Sequence, residues 1–187
     1  MKTIGIIQAR IGSTRLPGKV LLDLEGRTVL ERVCERVIAS RLIDDVVVAT
    51  TISNKDLAIV KLCADLGISV YCGSEEDVLD RYYQAARLFG ANFVVRITSD
   101  CPMIDPGVID ALISHHRNEK ADYSSNGIKE TYPDGQDVEM FTFNALSKAW
   151  SNANLLSERE HVTPYIRKHT EMFKVVNLEY HEDMSKK

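Results

Sequence analysis

Thr3-Ile4-Gly5-Ile6-Ile7-Gln8 runs directly into Ala9-Arg10-Ile11-Gly12-Ser13-Thr14-Arg15-Leu16-Pro17-Gly18-Lys19. The first stretch is a short apolar run of the kind that forms a strand buried on both faces. The second is a loop carrying two glycines, two hydroxyls and the cations Arg10, Arg15 and Lys19. Residues 1–22 hold four basic groups and no acid, although acids outnumber bases 27 to 23 in the chain as a whole. Glycines let a backbone approach oxygen atoms and guanidinium forks bind them bidentately, so the loop suits a polyphosphate. A solvated basic turn is the plainer alternative. The loop is not a P-loop, because one residue too many separates Gly12 from Gly18 and Val20 stands at the magnesium-binding hydroxyl position. It is not a G-x-G-x-x-G dinucleotide fingerprint either.

Outward from this point strands and helices alternate. Residues 45–51, 69–71 and 93–97 read as further buried strands. A helix is predicted from Thr28, where Thr28-x-x-Glu31 forms a capping box ahead of the apolar face Val29, Leu30, Val33, Val37 and Ile38. A second covers 55–66 and stops at Gly67. A third covers 77–89, capped by Ser74 and stopped by Gly90. A fourth opens at Asp105-Pro106. Such alternation predicts an α/β fold: a three-layer, mostly parallel, Rossmann-like sheet with right-handed crossovers. Ligands in such sheets sit beyond the carboxyl ends of the strands, which directs attention to the loops after Gln8 and Ile97.

From about residue 121 the texture changes. Strands are expected at 123–126 and 136–143 around the turn Tyr132-Pro133-Asp134-Gly135, then helices at 144–151 and 157–169, then a strand at 173–178. No linker rich in Pro, Gly or Ser divides the chain. It reads as one domain over 1–187, with a βαβ core (1–120) and an extension (121–187).

Composition narrows the function. The 187 residues are 44% hydrophobic and 27% charged, enough for a packed core. No apolar run approaches the roughly 20 residues that cross a bilayer. With no cleavable signal ahead of the first strand, a soluble cytoplasmic protein is expected. The net charge of −4 argues against a duplex nucleic-acid partner. The four cysteines form no C-x-x-C pair and the five histidines no ligand spacing, so zinc is not expected.

Three further segments carry chemistry. In Arg96-Ile97-Thr98-Ser99-Asp100-Cys101-Pro102, Asp100 leaves a buried strand toward the same crevice as the basic loop. It could hold Mg²⁺ against phosphates, or only cap the turn. In Pro133-Asp134-Gly135-Gln136-Asp137-Val138-Glu139, Asp137 and Glu139 share one face of a strand and repel, so they need a cation, a basic side chain or sugar hydroxyls unless both are solvated. In Ser157-Glu158-Arg159-Glu160-His161, Ser157 and Glu160 have capping-box spacing, while Arg159 and His161 could meet a substrate carboxylate. Gly73-Ser74 and Asp80-Arg81-Tyr82 flank a helix start facing the crevice; Asp80 and Arg81 could equally form a surface ion pair.

Taken in order, residues 7–20, Val47-Val48-Ala49-Thr50-Thr51, Gly73–Tyr82, Thr98–Asp105, Pro133–Glu139 and Arg159–Tyr165 resemble the cytidylyltransferases of the spore coat polysaccharide biosynthesis type. These are relatives of the acylneuraminate and ketodeoxyoctonate cytidylyltransferases. The resemblance implies the nucleotide-diphospho-sugar transferase fold and an enzyme that transfers CMP from CTP to a sugar with release of pyrophosphate, using Mg²⁺. It implies a triphosphate site of Arg10, Ser13, Arg15 and Lys19, with Arg15 and Lys19 stabilising the leaving pyrophosphate and Asp100 as metal ligand and catalytic residue. Gln8, Ala9, Gly12, Thr50, Ser74 and Arg81 would complete the nucleotide site, and Asp137, Glu139, Arg159 and His161 would line the sugar side. A homodimer through residues 120–175 is also implied. Two departures stand out: Ser99 replaces the usual glycine before the metal aspartate, and nothing after Met184 matches the family's Thr-Val-Asp-x-Pro-Glu-Asp segment, which carries a second metal aspartate. The chain is therefore expected to be shortened, or a variant that binds nucleotide without turnover. A glycosyltransferase on the same architecture is the other rival, although Ser99-Asp100-Cys101 lacks its Asp-x-Asp.

Overall fold

The computed structural model describes residues 1–12 and 16–186. Seven strands are found among them: β1 (Thr3–Gln8), β2 (Asp45–Thr51), β3 (Ser69–Gly73), β4 (Phe93–Thr98), β5 (Tyr123–Ser125), β6 (Glu139–Thr142) and β7 (Val175–Asn177). The helices are α1 (Val29–Ile38), α2 (Leu57–Asp65), α3 (Val78–Leu88), α4 (Pro106–Glu119), α5 (Phe143–Asn152), α6 (Leu156–His161) and α7 (Pro164–Lys168). The strands form one sheet in the order β3-β2-β1-β4-β6-β5-β7. All pairings are parallel except those of β6, which runs antiparallel to both β4 and β5.

The alternation of side chains along β1 builds a core on each face of this sheet. Ile4 and Ile6 pack with Leu79, Tyr82 and Ala85 of α3, Leu146 of α5 and Ile166 of α7. Ile7 packs on the other face with Leu30 and Val33 of α1, Ile59 of α2 and Ile109 and Leu112 of α4. Between them Gly5 lets α1 lie close: a Cβ there would come within 3.0 Å of Val37 and 3.1 Å of Ile43. The predicted three-layer, mostly parallel architecture is the one observed.

The helix starts are set by side-chain caps. Thr28 Oγ1 accepts from Glu31 N at 3.1 Å, and the Glu31 carboxylate accepts from Thr28 N at 3.3 Å, so both halves of the box are present. Asp105 caps α4 at Gly107 N, 2.6 Å away. At α3 the expected cap is corrected: Asp77 accepts from Asp80 N at 2.9 Å, whereas Ser74 Oγ accepts from Asp77 N one turn earlier. α2 is preceded by a 3₁₀ turn at Asn54–Asp56.

The second half departs further from expectation. The strand expected at 136–143 shortens to β6, because Asn126 binds its leading segment in place of a backbone ladder. The Asn126 side chain donates to Gln136 O at 2.7 Å and accepts from Val138 N at 2.9 Å. The helix expected at 157–169 is split in two. Val162 sits at φ +70°, and Pro164 supplies no N–H to continue the ladder. The capping box is shifted as well: Glu158, not Glu160, reaches back to the N–H of Leu155. No helix among the described residues is long and apolar enough to cross a membrane.

Replacing Thr28 by Ala removes one half of the box that starts α1. We expect a loss of about 1 kcal/mol in stability, measured by urea denaturation with an unchanged m value.

Candidate active site

The carboxyl ends of β1 and β4 open on a cavity of about 310 Å³. It gathers Gln8, Ala9, Arg10 and Lys19 from the first strand and its loop, Arg81 from α3, Thr98, Ser99 and Asp100 after β4, and Glu160 and His161 from the end of α6. The loop is pinned at several points. Ala9 N donates to Ala49 O at 3.1 Å and Gly18 N to Ile11 O at 3.0 Å. Gly18 takes a left-handed φ of +72°, which turns the chain into the single 3₁₀ turn that carries Lys19. Asp56, buried and not singled out in the sequence, accepts from Ile11 N at 2.8 Å and from Thr51 Oγ1 at 2.5 Å. Its local signal was only a helix-start acid; its partner Ile11 lies 45 residues away in the chain.

Lys19 and Asp100 meet across the mouth, Nζ to Oδ2 at 2.6 Å. Burial alone would raise the Asp100 carboxyl, but its bonds to Lys19 and Thr98 outweigh that and hold it below the ordinary carboxylate range. Arg10 is only loosely held, 3.6 Å from the exposed Glu75. Arg81 is 2% exposed, yet among the described residues its guanidinium donates only to Ser74 O, at 2.7 Å. Buried polar atoms almost always find partners. Here Gln8 Oε1, Arg81 Nε and Arg96 Nε have none among the described residues, and all three residues line this one cavity.

A second cavity of about 210 Å³ adjoins the first and shares Arg96 and Thr98 with it. Asp137, Glu139, Glu130, Ser125 and Arg167 also line it. Asp137 and Glu139 do reach the same space, but their roles differ. Glu139 is the direct cross-strand partner of Arg96 and is ion-paired to it; its carboxylate also accepts from Tyr123 Oη at 2.5 Å and Thr163 Oγ1 at 2.7 Å. Burial would raise the Glu139 carboxyl, but Arg96, Tyr123 and Thr163 together hold it below its usual value. Asp137 lies before the strand; burial, then the acids Asp134, Glu130, Glu139 and Asp100, push its carboxyl up. Arg167, exposed and absent from the sequence reading, has no side-chain partner among the described residues.

Other expected site residues lie elsewhere. The Arg159 guanidinium is not free for a substrate: it clamps the Asp77 carboxylate at 2.5–3.1 Å and donates to Trp150 O at 2.7 Å, fixing α6 against the start of α3. Thr50 is fully buried, on the strand parity of Val46 and Val48, and does not face the cavity. Ser74 turns its hydroxyl into the Asp77 turn, and Gly12 is off the cavity wall. Ser13 and Arg15 lie outside the described residues. For a divalent cation, the donor set fits the magnesium habit of one or two carboxylates completed by phosphates and water: Asp100 stands at the mouth among oxygen donors. No group of three or more His, Cys, Asp or Glu side chains suited to enclose a metal occurs among the described residues.

A parallel sheet with a cationic loop facing a carboxylate over its carboxyl edge has the layout of an α/β ligand-binding domain. Residues 4–187 match the family described as Cytidylyltransferase, and the chain belongs to it. It is 48% identical over 179 residues to an uncharacterized protein of Methanocaldococcus jannaschii, covering 96% of this chain and 72% of that protein. It is 36% identical over 184 residues to the spore coat polysaccharide biosynthesis protein SpsF of Bacillus subtilis, covering 93% and 73%. Among solved structures, a cytidylyltransferase from Leptospira borgpetersenii superposes with a TM-score of 0.94 at 37% identity, over all of this chain and 79% of that one.

Removing Glu139 would leave the Arg96 charge buried and unpaired. Glu139→Ala is expected to lose about 3–5 kcal/mol in denaturant unfolding. Because the folded Glu139 carboxyl lies below its ordinary value of 4.5, its contribution is present above that pH and is lost as the pH falls through the lower folded value. The pH–stability profile of the wild type should therefore drop on the acid side, and that of Glu139→Gln should drop less.

Proposed function

We propose that this chain transfers CMP from CTP to a sugar hydroxyl, releasing pyrophosphate and forming a CMP-sugar for a surface polysaccharide. The observation that supports it best is the cavity wall itself: three buried polar groups without partners stand beside the Lys19–Asp100 pair. A bound nucleotide supplies what each group lacks. The triphosphate gives Lys19 a new counter-charge, and Arg10 swings from its loose contact with Glu75 to the same phosphates. Ser13 and Arg15 join them, as the family resemblance implies. Arg81 and Gln8 bond the nucleoside end, one as donor and one as acceptor.

When Mg²⁺ is bound, held by Asp100 and phosphate oxygens, it supplies charge neutralisation at the phosphates. The sugar lies in the second cavity, where Asp137 bonds its hydroxyls and Arg167 takes a carboxylate on an acidic sugar. The sugar's hydroxyl oxygen bonds to the α-phosphorus and gives up its proton to water as the bond to the bridging oxygen of the β-phosphate breaks, and Lys19 stabilises the departing charge. Little covalent work falls to the protein; positioning and charge neutralisation carry the reaction. We place the nucleotide mainly on residues 1–120, with His161 beside it, and the sugar and a homodimer contact mainly on 121–187, in a cytoplasmic enzyme.

Titration calorimetry with CTP, UTP and ATP, with and without Mg²⁺, should show binding selective for CTP. Pyrophosphate release with a 2-keto-3-deoxy sugar acid should follow. CTP binding without any metal-dependent pyrophosphate release would identify a silent binding module instead. Lys19→Ala should weaken CTP binding or slow transfer by about 1.5–3 kcal/mol, and unchanged values for both would overturn the loop assignment. In Arg167→Gln, KM for the acidic sugar should rise roughly tenfold, the loss of one charge-assisted contact, while the affinity for CTP stays constant. An unchanged KM would remove Arg167 from the sugar site.

A further inference from the structure

The opposite end of the sheet holds a larger cavity, of about 710 Å³, between the amino ends of β1 and β4 and the end of α4. Its size falls in the range of small-molecule sites. Leu42 and Phe93 give it apolar lining, and the buried His116 forms part of the same wall. His116 is 1% exposed, stands edge-on to Phe93 and shares a hydrogen with Ser124 Oγ through Nδ1 at 2.8 Å. Its Nε2 is buried and has no partner among the described residues. Burial drives the ring's pKa down to about 4, so it is neutral and acts as a hydrogen-bonding group, not a charge.

The tautomer follows from Ser124. Its hydroxyl is buried and has no other acceptor among the described residues, so it donates to Nδ1, and Nε2 then carries the ring's hydrogen as a donor. The charges around the rim match that donor. Arg41 and Lys120 have side chains without partners among the described residues, and Arg117 has one bond, to Thr3 Oγ1 at 2.9 Å. The two acids on the wall, Asp44 and Asp122, each accept one backbone hydrogen bond, from Thr3 N at 2.7 Å and Lys174 N at 2.9 Å, and are outnumbered by Arg41, Arg117 and Lys120.

We propose that this cavity binds a small organic anion, its apolar body on Leu42 and Phe93 and its phosphate or carboxylate between the cationic rim and His116 Nε2. The site is separate from the nucleotide cavity and stands whether or not the proposed reaction is correct.

The test reads His116 itself, through the Nε2 nitrogen resonance of the full chain, assigned by its loss in His116→Asn. Phenyl phosphate and benzoate are titrated as the two anion types, with inorganic phosphate and benzyl alcohol as controls lacking one half of the ligand. At least one aromatic anion should shift the resonance saturably, at concentrations at least tenfold below either control. Arg41→Gln/Lys120→Gln, which changes exposed side chains only, should weaken that binding at least tenfold and leave CTP affinity unchanged. No saturable shift with either aromatic anion overturns the site, as does equal binding in the double variant. The response of the two anions tells a phosphate ligand from a carboxylate.

Discussion

Arg96 leaves the middle of the sheet with its charge inside the protein, and Glu139 meets it from the antiparallel neighbour at the directly opposed position. Neither would be tolerated there alone, since an unpaired buried charge is strongly destabilising. The pair does more than neutralise itself. Glu139 also collects hydroxyls from Tyr123 on β5 and Thr163 between α6 and α7, so one carboxylate joins the parallel core to the extension. Arg96 in turn forms part of the wall of both cavities at the carboxyl edge. The relative position of those two cavities is thus set by one ion pair and the strands that carry it.

The same logic of mutual neutralisation operates at the mouth of the first carboxyl-edge cavity. Lys19 and Asp100 come from loops 81 residues apart and satisfy each other. Both side chains remain partly exposed, 24% and 39%, so solvent screens the pair and it contributes little to stability. Three deeper atoms, Gln8 Oε1, Arg81 Nε and Arg96 Nε, have no partner among the described residues. The cavity therefore combines a readily opened surface pair with an interior that stays under-bonded.

The parallel half of the fold was legible because its signals are local. Apolar runs of strand length, the Thr28 box, Asp105-Pro106 and the glycines that follow the helices each act over a few residues. The crevice was legible for the same reason, since the ends of β1 and β4 follow from the alternation. Interactions between distant segments were not. Arg159 and Asp77 are 82 residues apart, and nothing around Arg159 distinguishes a clamp on a helix cap from a substrate contact. Ser74 and Asp77 both have capping chemistry, and only tertiary placement chose between them. The short β6 depended on Asn126 acting as a side-chain substitute for a strand, a geometry that period-two patterning does not reveal. Arg167 lacked a motif of its own and became visible only when α7 folded beside the second cavity.

The place of β6 in the sheet also bears on strand order. β5 precedes β6 in the chain yet lies outside it, so the backbone N–H and C=O groups along that edge of β4 are paired by the later of the two strands. A parallel β5 joined to β4 through α4 would be an ordinary right-handed crossover, and nothing in backbone geometry forbids it. What β5 lacks is an acid: Tyr123-Ser124-Ser125 cannot neutralise Arg96, whereas Glu139 at the head of β6 can. The sheet thus sets the buried charge of β4 beside the strand that brings an acid and leaves β5, which has none, one place further out.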